Sequence, residues 1–382
     1  MALRRPVLLI LVSSLTVLLL CLGLLAWLRL RTGPRVERLT REAHLLEEEV
    51  FTRPSHVSPA LPGTLADALR PLSNDISRAS HGLAWLDSER VDPCLSVIAG
   101  QTPVTSMPPE CAEVLQEGRD LMRRVLHATR AEQGGIPRAL RHPVTGYYLL
   151  FSPLDALPST LPTPGHLRNL ARVAALEMRL LLDQRHFGEA VDLCLDTVAL
   201  SRELALGGGV HERLQSAQVL EMAYPPCAAA LAAAPVERQK QAAEQLTRLS
   251  QGWPSLAETV HTESVAFQLY TYGNLFTQEQ LARLPPHARD LATDRQFRWE
   301  GVSSQVMARE MWRLSSEWFE AVEVAASQPA LVLPKALSDV DASFRQERGL
   351  APPHMGPYIT LVQETSRQRL QLEALRDLVK AP

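Results

Sequence analysis

LLLDQRHFGEAVDL, residues 180–193, reads as the end of one amphipathic helix, a tight turn and the start of another. Apolar residues at 167, 170, 174, 178 and 181 share one helical face before the turn. Phe187, Ala190, Val191, Cys194 and Val198 share one after it. Two or three residues separate the two faces, so the helices pack antiparallel. The glycines at 207–209 predict the stop of the second helix, because glycine readily takes the left-handed cap conformation. This hairpin sets the expected fold class as all-α.

Composition points the same way. The 382 residues are 46% hydrophobic but only 5% aromatic, and the strong helix formers Leu and Ala dominate while Val/Ile/Thr/Tyr runs are scarce. Lys240, Lys335 and Lys380 are the three lysines, so arginine supplies the other 36 of the 39 basic residues. That bias fits a GC-rich bacterial genome better than a binding function. The net charge of −3 gives no basic face and argues against a nucleic-acid partner.

The hairpin invites a repeat reading, since HFGEAV at 186–191 looks like the turn and second-helix start of a tetratricopeptide unit. The preceding helix departs from that pattern, with Met178 where a small glycine is expected and Glu177 where a leucine is expected. Thirty-four residues on, the chain reads YPPC, and the echo EWFEAVEVA at 317–325 has no turn before it. An array needs three units at a fixed period. The expected architecture is therefore irregular: antiparallel hairpins, tetratricopeptide-like or solenoid-like in style without a regular repeat.

PVLLILVSSLTVLLLCLGLLAWL, residues 6–28, carries no charge over 23 positions between Pro6 and Leu28. A helix of that length spans the roughly 30 Å hydrocarbon core of a bilayer. It is too long for the apolar region of a cleaved leader, no A-x-A-like site follows, and Leu20 stands before Cys21 where a lipoprotein needs a small residue. Residues 1–31 are expected to be an uncleaved inner-membrane anchor. Arg29, Arg31, Arg35, Arg38 and Arg41 outnumber Arg4 and Arg5, which favours a cytoplasmic body by count. Long domains nevertheless translocate largely regardless of charge, so the expected side for the C-terminal body is the periplasm.

Beyond the anchor, Pro34 is expected to break the helix and RVERLTREAHLLEEEVF to begin another over 34–51. There Val36, Leu39, Ala43, Leu46 and Val50 take a and d positions, which suits an amphipathic packing helix or a self-associating stalk. A helical subdomain with a Pro-rich loop is expected at 63–135, a Pro-rich connector at 136–165, and a helical-hairpin domain at 166–382. Pro225 and Pro226 predict a break between helices at 210–224 and 227–234. Further helices are predicted at 235–251, 254–274, 277–294, 297–326 and 357–379. Cys94 and Cys111 flank the loop CLSVIAGQTPVTSMPPEC and form a candidate disulfide, or two unpaired small hydrophobes.

Candidate chemistry is thin. HERLQ at 211–215 begins like a zinc-protease helix, but Gln215 replaces the second histidine. ETVH, Glu258 to His261, has the spacing of a di-iron motif in a single copy. The glycines at 207–209 lie between helices and lack the lysine of a phosphate loop. No cofactor, metal or catalytic residue is expected. Phe267, Tyr270, Trp312 and Trp318 are read mainly as core, and alternatively as an aromatic groove for a partner protein.

Residues 166–273, a capped hairpin followed by RLQSAQVLEMAYPPCAAALAA, resemble a group of uncharacterised bacterial membrane-anchored helical proteins. The resemblance covers about a third of the chain and implies an architecture without a reaction. The favoured expectation is a membrane-anchored scaffold or adaptor that binds another protein. The alternatives are an enzyme whose site gathers Glu258, His261 and Glu263, and an envelope protein that only self-associates through 36–50.

Overall fold

The computed structural model describes residues 4–51, 55–76, 78, 93–134, 164–206, 208–293, 301–329, 331–348 and 356–380. Most of the expected connector at 136–165, and part of the helical subdomain expected at 63–135, lie outside them.

Among the described residues the chain is all-α apart from one small two-stranded sheet. In order it forms α1 (Arg4–Phe51), β1 (Leu61–Thr64), α2 (Leu65–Leu69), α3 (Leu95–Ile98), α4 (Pro109–Ala128) and β2 (Ala131–Gln133). Then come α5 (Pro164–Asp183), α6 (Phe187–Ala205), α7 (Val210–Ala233), α8 (Val236–Ser250) and α9 (Leu256–Tyr272). The series ends with α10 (Gln278–Ala282), α11 (Pro286–Ala292), α12 (Val302–Ala326), α13 (Leu333–Arg348) and α14 (Gly356–Lys380).

The opening hairpin is α5–α6, and its turn is a Schellman motif. His186 N–H donates to the Leu181 carbonyl at 2.8 Å and Arg185 N–H to the Leu182 carbonyl at 3.1 Å. Arg185 occupies the left-handed position, with φ 61°. Glu177, the departure from the repeat pattern, is only 1% exposed and receives Arg119 and Arg123 of α4 at 2.7 and 2.6 Å. Asp196 of α6 receives Arg130 at 2.7 Å. These pairs fasten α4 to the hairpin, where burial makes a lone carboxylate expensive.

Two expected breaks are corrected. α1 runs through Pro34, and α7 runs through Pro225 and Pro226. A proline inside a helix removes one backbone bond and crowds the preceding turn, at a cost of about 3 kcal/mol. In α7 that cost is outweighed by burial of Ala223, Pro226, Cys227, Ala230 and Leu231 along the helix. In α1 the residues after Pro34 are held by Val36, Leu39 and Ala43, which are buried on the body. Further differences are α13, which the sequence reading omits; the split of 277–294 into α10 and α11; and the parallel pairing of β1 with β2.

Two apolar cores result. The first gathers α2 to α8 and the end of α14, and so draws together residues from both sides of the connector. The second gathers α9, α11, α12, α13, the start of α14 and the Val36–Leu39–Ala43 face of α1. α7 packs on α5, α6 and α14, so a helix distant in sequence closes the first bundle. An open solenoid would let each unit touch only its neighbours.

Two disulfides staple the first core. Cys94–Cys111 joins α3 to α4 with Cα atoms 5.6 Å apart, and Cys194–Cys227 joins α6 to α7 with Cα atoms 5.1 Å apart.

Candidate functional site

Gly208 and Gly209 lie where the two cores meet. Gly208 and Gly209 are there for space; neither has a left-handed φ. A Cβ on Gly209 would stand 2.2 Å from Glu263 Oε2, and one on Gly208 would stand 2.5 Å from Glu212 Cβ. The glycines thus let two carboxylates close on the start of α7. Glu212 accepts from Gly209 N–H and Glu263 from Val210 N–H, both at 3.1 Å. An uncapped helix start exposes free N–H groups and the positive end of the helix dipole, and the carboxylates answer both. Glu203 is seated similarly: it accepts from Arg202 at 2.5 Å, and a Cβ on Gly134 would lie 2.2 Å from its Oε2. Beside them, Ser201 and Ser216 exchange 2.7 Å bonds with each other's carbonyls, and Gln368 of α14 donates to both hydroxyls. This buried polar layer aligns α6, α7, α9 and α14. Its carboxylates are taken up by backbone N–H groups and Arg202.

Glu258, His261 and Glu263 are not brought together. Glu258 closes the capping box of α9, accepting from Ser255 N–H at 2.5 Å. His261 points to α12, where its Nδ1 lies 3.3 Å from Glu323 Oε2. Glu263 turns to α7. His261 and Glu263, two residues apart, fall on different faces of the helix, and Glu258 is taken up by the cap at its start. Among the described residues, no group of three or more His, Cys, Asp or Glu is placed to hold a metal ion. His211–Gln215 is the polar first turn of α7, with Glu212 as its cap.

The aromatic groove is corrected as well. Phe267, Tyr270, Trp312 and Trp318 are buried by the chain itself. Trp312 stacks on Tyr272 with centroids 5.3 Å apart and donates from its indole N–H to Gln268 at 2.9 Å. Tyr272 is pushed up to about 12 by burial, as expected for a phenol inside a core. Four buried rings leave no trough for a partner.

An open groove lies elsewhere, between α12 and α13. It encloses about 790 Å³ over Ala321, Val324, Ala325, Val332, Ala336 and Val340, rimmed by Glu320, Gln328, Lys335 and Asp339. Val324 is 65% exposed and Leu331, at the turn between the helices, 97%. The sequence reading missed these residues because it left 333–348 unassigned. The signal was there: Leu333, Leu337, Val340 and Phe344 repeat at helical spacing.

At the other end of the chain, Leu15, Val17, Leu18, Leu19, Leu20, Leu22 and Leu24 of α1 are 42–68% exposed. They cover the whole circumference of the helix. Among the described residues no helix is long and apolar enough to cross a membrane, and the side chains at 4–12, 25 and 27–32 lie outside that set. Compared with protein-family profiles, curated proteins and solved structures, the chain matches none.

Proposed function

We propose that the chain is a single-pass, membrane-anchored helical scaffold, with residues 6–28 in the bilayer and the disulfide-stapled body on the exported side. The exposed apolar stretch of α1 carries this reading. Seven large aliphatic side chains stand exposed around the helix along that stretch, an arrangement suited to lipid and costly in water. Two disulfides inside the first core support export, since reducing compartments keep thiols apart. The groove between α12 and α13 is the surface offered to another protein, by an apolar floor and a charged rim.

The test has two arms in cells making the full chain. Membranes are washed at alkaline pH, and free thiols are counted by alkylation before and after reduction. Retention in the membrane, loss of retention on deleting 6–28, and four thiols appearing only after reduction support the reading. Release by the wash, or five free thiols without reductant, sinks it. A photocrosslinker at Val324 addresses the scaffold role, with exposed Leu370 as the control position. A discrete adduct at 324 alone is the expected result.

A further inference from the structure

α1 is docked on the body by a short seam of Val36, Leu39 and Ala43, with half-buried Leu46 packed beside them. Charged groups from three helices surround it. From α1, Arg38 pairs with Glu42 at 2.7 Å and reaches Glu320 of α12 at 2.9 Å. From α9, His261 bonds Glu323 of α12 at 3.3 Å, and Glu42 and Arg38 both act on the imidazole from α1. His44 Nε2 lies 2.9 Å from the Arg283 carbonyl. On His261's own helix, Glu258 is bound to the Ser255 amide.

The charge balance here hangs on one proton. Glu42, Glu320 and Glu323 are three carboxylates facing a single guanidinium, Arg38, for a local charge of −2 while His261 is neutral. A protonated His261 brings it to −1 and places a cation between the carboxylates of α1 and those of α12. Without it, Arg38 is left as the cation between the three carboxylates, across a seam only four side chains long. We propose that His261 is a proton-operated latch: charged, it holds α1 against the body, and neutral, it loosens α1 so that the body can turn relative to residues 6–28.

The direction of titration agrees. The pKa of His261 is raised above the ordinary imidazole value, first by the hydrogen bond to Glu323, then by the charges of Glu323 and Glu42, with burial and Arg38 opposing. A group with a raised folded-state pKa contributes its full stabilisation below its ordinary value and loses it as the pH rises through the raised one. Release therefore comes on the alkaline side of the ordinary imidazole range. Since the pair is partly exposed, added salt should flatten the response.

Hydrogen exchange of the full chain in lipid nanodiscs tests this between about pH 5 and about pH 8, the range in which imidazole titrates. After correction for intrinsic exchange, protection of amides 36–46 should fall severalfold as the pH rises, while that of 187–205 in the first core stays level. His261→Gln should leave 36–46 weakly protected and insensitive to pH. Glu42→Gln, which removes one opposing carboxylate, should raise protection at high pH and make the response shallower. Level protection of 36–46 in the natural chain overturns the latch, as does a His261→Gln variant that keeps the natural response. If His261→Gln also loses protection at 187–205, the Glu42→Gln result decides, and an unchanged pH response there overturns the proposal.

Discussion

At Gly209 a single methyl group would collide with a carboxylate oxygen 2.2 Å away. Gly209→Ala must therefore expel Glu263 from the start of α7 or shift the helix. Orphaning a buried amide and its charged acceptor costs about 2 kcal/mol, expected as a lower urea midpoint. Gly165, with nothing within 4 Å, is the control, and its alanine variant should be neutral or slightly stabilised. Arg185 gives the opposite case. Its left-handed backbone is one that glycine adopts freely, so Arg185→Gly should raise stability by about 0.5–1 kcal/mol in the same titration. The glycines at 207–209 were legible as a helix end; the left-handed reason given for them was not the one found at Gly208 and Gly209. The difference is physical: Glu263 lies 54 residues from Gly209, and nothing in the local sequence announces its arrival. Glu177 is similar, since its oddity was visible while Arg119 and Arg123 were not.

At the scale of elements, hydrophobic period and caps made α5, α6, α8, α9 and α14 legible to within a few residues. α13 went unassigned through an overlooked period, and the breaks placed at proline in α1 and α7 were overridden by burial. Local propensity is a weak prior once one face of a helix is covered. The bridge between Cys194 and Cys227 closes a loop of 33 residues, and the one between Cys94 and Cys111 a loop of 17. Loop-closure entropy assigns them about 4 and about 3 kcal/mol. Paired Cys→Ser variants should lose stability in that order by chemical denaturation, and reductant should destabilise the natural chain while leaving the doubly paired variant unchanged.

At the scale of the whole molecule, the two cores should respond separately to damage. Trp312 lies wholly in the second core, stacked between Tyr272 and Phe276. Trp312→Ala is expected to cost about 3–5 kcal/mol there. Amides in α9 and α12 should lose protection in hydrogen exchange well before those in α5 and α6; equal loss everywhere would mean that the cores unfold as one.

α14 joins them. Tyr358, Leu361 and Val362 enter the second core, while Leu372, Leu375 and Val379 enter the first, and Gln368 lies between, bonded to α6 and α7. This placement has a consequence for biogenesis. Every other described helix leaves the ribosome before α14 does, so neither core can close until α14 has emerged. Until then the apolar groove that α14 will fill stays open along α7, and the nascent chain depends on whatever holds it meanwhile. A ribosome stalled upstream of residue 356 should display a body that proteases cut and chaperones retain, however long the pause.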